Sequence, residues 1–309
     1  MPTDPILIVG TGALACLFAA RLVRSGARVA MLGSWPEGLK ALRTHGVRFE
    51  VEPGEVVHYP VRVIDGSQNC SPYGSAIVLV KSWQTRQAAK LLPACLASNG
   101  TALTLQNGLG NREALENTLG ETRVALGTTT TGATLLGPGH VRPGGEGEIH
   151  LQARRSLQPL ADWLALAGFS VHQAPDVESL VWGKLVINAA INPLTALLEV
   201  PNGALLKNEA ARELMKATAR ETAAVAAARG IALPFDDPAA AAEEVARRTA
   251  PNYSSMLQDI RRGAPTEIDA ICGAIASTAQ EAGAAAPINR TLWRLVKAKV
   301  EEEAIIAAV

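Results

Sequence analysis

The feature that most narrows the fold is one short stretch, Gly10-Thr11-Gly12-Ala13-Leu14-Ala15. It follows the apolar run Ile6-Leu7-Ile8-Val9 and opens an apolar-periodic segment, 13–25, that stops at Gly26. Four apolar residues in a row read as a buried strand, and 13–25 reads as a helix. A strand that enters a helix through G-x-G-x-x-A has a mechanical purpose. Gly10 permits the tight turn, Gly12 lets a pyrophosphate approach the backbone, and Ala15 keeps helix and strand close. The helix N-terminus then offers unpaired N–H groups and a positive dipole to the anion. Two glycines alone suit any tight turn, so the weight comes from their place between strand and helix. Gly10, Thr11, Gly12, Ala13, Leu14 and Ala15 are therefore read as a dinucleotide-binding turn.

The rest of the first half continues the alternation. Apolar runs at 28–32, 76–80, 101–105 and 124–127 read as strands, and 85–92 and 112–118 read as helices. Strands apolar throughout, alternating with helices, imply a parallel sheet covered on both faces. Turn chemistry among β-prone residues at 137–151 suggests a hairpin, followed by a helix at 157–167 and a strand at 169–172. Near residue 175 the period changes, and helices are expected at 177–198, 205–228, 238–249, 254–262, 267–282 and 289–307. The predicted fold is α/β: an N-terminal Rossmann-type dinucleotide-binding domain, 1–175, and a C-terminal all-helical substrate domain, 176–309.

Charge and composition remove other classes. With 29 basic against 29 acidic residues, the chain lacks the basic excess of a nucleic-acid binder. At 48% hydrophobic residues it is not a disordered scaffold. The most apolar stretch, 180–200, is interrupted by Lys184, Asn188, Asn192 and Pro193, which argues against a membrane partner. The first residues lack the basic region of a secretion signal, so a cytoplasmic protein is expected. Cys16, Cys70, Cys95 and Cys272 show no metal-ligand spacing and read as small buried thiols in a reducing compartment, with no metal site.

Two clusters carry chemistry. Lys184, Asn188 and Asn192 recur at i, i+4 and i+8, each about 40° around the helix from the last. The neighbouring residues are nearly all apolar, so this stripe needs polar partners or costs several kcal/mol. A bound polar substrate would supply them; a solvent-facing edge or an internal hydrogen-bond network would also do so. The second cluster runs from Asn252 to Asp269. Ser255 begins one helix signal and Glu267 sits in the first turn of the next, where a carboxylate also serves as an ordinary dipole partner. Thr266 and Asp269 fit a capping pattern. The end of the second strand, Met31-Leu32-Gly33-Ser34, lacks the acid that usually bonds a ribose 2′-hydroxyl. That absence favours NADPH, with Ser34, Lys40, Arg43 or Lys81 available to a 2′-phosphate.

These pieces together resemble the ketopantoate reductase family. The resemblance is carried by Gly10 to Ala15, Lys81-Ser82-Trp83-Gln84, Gln106-Asn107-Gly108-Leu109-Gly110, the stretch from Lys184 to Ala196, and the stretch from Asn252 to Asp269. They occur in family order along essentially the whole chain. The resemblance implies NADPH-dependent reduction of ketopantoate to pantoate, in pantothenate biosynthesis. It implies that Lys184 is the catalytic lysine and that Glu267 lies beside it, near substrate and cofactor. It further implies substrate contacts from Asn188, Asn192, Asn252 and Ser255. Asn107 would lie near both nicotinamide and substrate, and Lys81 and Gln84 near the adenosine ribose phosphate. One departure stands out: the family often has Arg where this chain has Gly33. NADPH preference would then rest on Ser34 and Lys81, NADH use stays open, and Gly33→Arg is expected to raise the preference. Two alternatives remain: a family relative acting on another branched 2-oxo acid, and a non-catalytic NADP-binding protein. The segment 289–307 leaves open whether its apolar residues pack internally or form a homodimer contact.

Overall fold

The computed structural model describes residues 4–66 and 70–307, with side chains to 302. It divides into two compact units, Met1–Gln106 with Asn111–Val177, and Asn107–Gly110 with Glu178–Val309.

In the first unit, β1 (Ile6–Val9), α1 (Ala13–Arg24), β2 (Val29–Leu32), α2 (Pro36–His45), β3 (Val47–Glu52), β4 (Glu55–Tyr59) and β5 (Arg62–Ile64) come first. They are followed by β6 (Tyr73–Val78), α3 (Thr85–Cys95), β7 (Leu96–Thr104), α4 (Asn111–Leu119) and β8 (Val124–Thr129). The unit ends with β9 (Ala133–Gly137), β10 (His140–Pro143), β11 (Glu148–Gln152), α5 (Gln158–Leu166) and β12 (Ser170–Ala174). Among the described residues, eight strands form one sheet in the order β12-β11-β8-β7-β6-β1-β2-β5. Every pair in it is parallel except β8 with β11. β1 and β2 are buried along their whole length, as their unbroken apolar runs require. β1 pairs with β2 on one side and β6 on the other, so successive connections leave it in opposite directions. Such a switch point leaves a crevice at the C-terminal ends of the strands. The small residues Ala15, Ala19 and Ala20 are fully buried on α1. They let that helix approach the sheet closely, next to Phe18 and Leu22 of the same core.

A second sheet, in the order β4-β3-β10-β9, corrects one expectation. The hairpin is β9 with β10, turning at Pro138-Gly139, and not a pairing across 137–151. β10 and β11 join different sheets, because the Gly- and Pro-rich segment between them marks a turn without saying where the next strand goes. The cysteine reading is also corrected. Cys70 and Cys95 form a disulfide that ties the approach to β6 to the end of α3, while Cys16 and Cys272 are free and buried.

The second unit is helical: α6 (Val177–Leu198), α7 (Glu209–Ala228), α8 (Pro238–Arg248), α9 (Ser255–Arg261), α10 (Ala274–Glu281) and α11 (Pro287–Ala307). α6 is long and apolar enough to cross a membrane by length and composition, but it forms the centre of the helical core. Trp182, Leu185, Val186, Ala189, Ala190 and Ile191 of α6 pack there with Met215, Leu257, Ile271 and Val296. Asp237 caps α8 by accepting from the Ala239 and Ala240 N–H groups, with Pro238 as first helical residue. In α11, Leu292 and Val296 are buried in this core and Leu295 is exposed.

Candidate active site

The glycine turn is built by backbone approach. Gly10 has φ of 134°, which glycine alone adopts without strain. Its N–H donates to the Leu32 carbonyl at 2.7 Å, and the Leu79 N–H donates to the Val9 carbonyl at 2.8 Å. A Cβ on Gly10 would lie 3.1 Å from the Leu79 carbonyl and the Val80 nitrogen. The ends of β2 and β6 are thereby drawn against the turn. Gly12 is the N-cap of α1, which has no side-chain cap and no acid in its first turn. A Cβ there would meet nothing within 4 Å, so the face is open. Ala15 is fully buried at the helix–strand contact. Uncapped N–H groups facing open space at a helix N-terminus fit a dinucleotide pyrophosphate.

Around this turn the predicted residues separate into two groups. Ser34 follows Gly33 and is exposed, and Lys81 follows Val80 and is partly exposed. Gln84 accepts the Lys81 backbone N–H at 3.3 Å, which closes the short 3-10 turn Ser82–Gln84. Arg43 is engaged elsewhere, paired with Asp65 at 2.6 Å, and Lys40 is exposed on α2. Gln106, to which the sequence reading gave no role, fixes the loop after β6. Its Nε2 donates to the Val80 carbonyl at 2.8 Å and to Thr85 Oγ1 at 2.7 Å, and Thr85 donates to Asn111 Oδ1 at 2.7 Å.

The second constellation lies in the helical unit. Lys184 and Asn188 are partly exposed on α6, and Asn192 is buried at 7% exposure. Burial of the Lys184 ammonium brings its pKa from 10.5 down to about 8, against an upward pull from Glu267. Glu267 is 6% exposed and accepts a hydrogen bond from Asn107 Nδ2 at 3.2 Å. Asn107 thus belongs with the helical unit, although its strand-following position reads as part of the first domain. Two neighbours hold it there. The Leu109 N–H donates to the Ala270 carbonyl at 2.9 Å. Gly108 has φ of 79°, and a Cβ on it would collide with that same carbonyl.

Glu267 precedes its helix and does not occupy the first turn. The helical path starts with a π turn, Asp269–Gly273, closed by the Gly273 N–H on the Ile268 carbonyl at 3.0 Å. The expected capping by Asp269 is replaced by an acceptor role toward the Trp293 indole N–H at 2.6 Å. Ser255 opens α9 and is exposed, as is Asn252. The capping residue is the adjacent Ser254, which accepts the Leu257 N–H at 3.2 Å. Its hydroxyl also shares a 2.8 Å hydrogen bond with Thr195 of α6, a fully buried residue. Thr195 and Ser254 were not singled out from the sequence. Ser254 precedes an apolar run, which is a cap signal, but its pairing across 59 positions has no local signature.

The geometry offers an open anion-binding turn in one unit and, in the other, a lysine with lowered pKa beside a held carboxylate. Comparison with known proteins covers both units. Residues 6–156 match the family model described as ketopantoate reductase PanE/ApbA, and residues 176–300 match its C-terminal counterpart. A 2-dehydropantoate 2-reductase of Archaeoglobus fulgidus is 36% identical over 96% of this chain and 98% of its own length. Among solved structures, a PanE/ApbA family ketopantoate reductase from Ralstonia eutropha superposes with TM-score 0.88 at 33% identity. That match covers 96% of this chain and 99% of the other. A ternary structure of D-mandelate dehydrogenase with NADH and anilino(oxo)acetate gives TM-score 0.91 at 28% identity, over 96% and 98%. With both halves matched in order, the chain belongs to the ketopantoate reductase family of oxidoreductases.

Proposed function

We propose that this chain reduces ketopantoate to pantoate in pantothenate biosynthesis, with NADPH as hydride donor and NADH also accepted. The observation that carries the reading is Lys184: a lysine in an apolar helix, its pKa lowered to about 8, facing a carboxylate that Asn107 holds. When bound, the nicotinamide supplies the hydride. The Lys184 ammonium binds the C2 oxygen, stabilises the negative charge that grows there, and gives up its proton to it. Glu267 favours the protonated lysine, and the Asn107 amide keeps the carboxylate oriented. Asn188 and Asn192, one and two helical turns on, bind the hydroxyl end of the substrate. Ser255 receives the carboxylate end, and Asn252 is a neighbouring residue of the substrate pocket. Gly10 to Ala15 hold the pyrophosphate, and Ser34, Lys81 and Gln84 serve the adenosine ribose.

The test is cofactor oxidation with ketopantoate beside a panel of other 2-oxo acids. Ketopantoate is expected to turn over with the highest kcat/KM. A second reading, reduction of an aromatic 2-oxo acid, is favoured by the likeness to D-mandelate dehydrogenase. Brisk turnover of the 2-oxo acid related to mandelate, without turnover of ketopantoate, would replace the first reading with the second.

A further inference from the structure

Glu267 stands just before a π turn that is held from another helix. The turn, Asp269–Gly273, closes with the Gly273 N–H on the Ile268 carbonyl at 3.0 Å. Turns widened in this way are rare and need support from their surroundings. One side chain of α11 supports this one at both ends. The Trp293 indole N–H donates to Asp269 Oδ1 at 2.6 Å. The same ring lies against Gly273, where a Cβ would be 3.1 Å from both Trp293 Nε1 and Trp293 Cε2. Gly273 has an ordinary helical φ of −62°, so the ring, and not the backbone, calls for glycine there. Within the turn, the Ala270 carbonyl accepts the Leu109 N–H at 2.9 Å. The loop seated by that bond carries Asn107, which donates to Glu267 Oε2 at 3.2 Å. The carboxylate and its amide partner thus both take their places from one stretch of backbone.

We propose that Trp293 is a positioning residue: by gripping Asp269 and Gly273 it fixes the turn that aims Glu267 and seats the Asn107 loop. It acts through Glu267 and not on the substrate. The inference deepens the proposed role of the Lys184 and Glu267 pair and rests on it. Lys297 also reaches Asp269, at 3.5 Å, but both side chains are exposed, and such a pair contributes little in water. The Cys272 thiol inside the turn is fully buried and its pKa is pushed up by that burial, so it stays uncharged.

NMR titration of the Lys184 ε-carbon in the whole protein tests the inference without turnover. Wild type should titrate at about 8, where burial lowers the lysine pKa and Glu267 pulls it up. Trp293→Phe keeps a ring and every charge but loses the donor, so the carboxylate loosens and the midpoint should fall by at least about half a unit. Asp269→Ala, at an exposed position, removes the acceptor and should fall by a similar amount. Asp269→Asn loses the same charge but keeps an acceptor, and should stay within about 0.2 units of wild type. The alkaline fall in kcat/KM for ketopantoate should move with the midpoint in each variant. A merely structural role would lower the melting temperature of Trp293→Phe and leave its lysine midpoint unchanged. That result would overturn the proposal, as would equal falls in Asp269→Ala and Asp269→Asn. Wild type inactive toward every 2-oxo acid would sink the proposed function, while the lysine titration would still decide the role of Trp293.

Discussion

At the residue scale the proposed chemistry centres on Lys184. Its pKa of about 8 means that the folded chain releases a proton which the unfolded chain keeps up to 10.5. Below about 8 the charged, buried ammonium therefore costs stability, of order 3 kcal/mol at 1.36 kcal/mol per pH unit. Between 8 and 10.5 the unfolded state binds more protons, so stability rises with pH and the penalty fades. Lys184→Met is accordingly expected to resist urea better than wild type at pH 7, with the difference shrinking by pH 10. An equal difference at both pH values would show that the charge is not its cause. Under the proposed function the same substitution removes the proton donor, so its kcat for ketopantoate should fall by several orders of magnitude. Glu267 acts in the opposite sense, since its charge raises the lysine pKa. Glu267→Gln should move the alkaline fall in activity to lower pH; a fall at unchanged pH would mean the two groups are not coupled.

At the scale of elements, α6 does more than present three polar side chains. Thr195, one turn beyond Asn192, joins the helix to the cap of α9 through Ser254, immediately before Ser255. That bond ties the start of α9, where Ser255 stands, to the helix that carries Lys184, Asn188 and Asn192. Thr195→Val keeps the shape and removes the hydroxyl. It should raise KM for ketopantoate by about fivefold, matching about 1 kcal/mol, with a smaller effect on kcat. Thr195→Ser should restore the wild-type KM, and a wild-type KM in the valine variant would deny the link any positioning role. α6 and the glycine turn were legible in the sequence because each depends on local rules, helical period and turn geometry. β3, β4, β5 and α2 were not, because three are short strands with exposed positions and the helix is polar on most of its surface. The placement of Asn107 on Glu267 was equally unreadable from spacing, since 160 positions separate them.

At the scale of the whole molecule, the balance of 29 basic and 29 acidic residues limits long-range attraction of anions. The proposed function leaves anion binding to local devices: the N-terminus of α1, Lys81 and Lys184. The cysteines show where sequence arithmetic stops, because Cys70 and Cys95 are 25 residues apart with no motif between them. Closing a loop of that length stabilises a fold by about 3 kcal/mol in the chain-entropy account. Thiol titration in denaturant should detect two thiols before reduction, Cys16 and Cys272, and four after it. Four before reduction would exclude the disulfide. The central claim is that Lys184, protonated below about pH 8, is the acid for ketopantoate reduction. The direct measurement is kcat/KM for ketopantoate against pH, in wild type and Lys184→Ala. Wild type should be level below about pH 8 and fall roughly tenfold per unit above it, with the variant far lower throughout. A wild-type profile level to pH 10, or a variant retaining wild-type activity, would contradict the assignment.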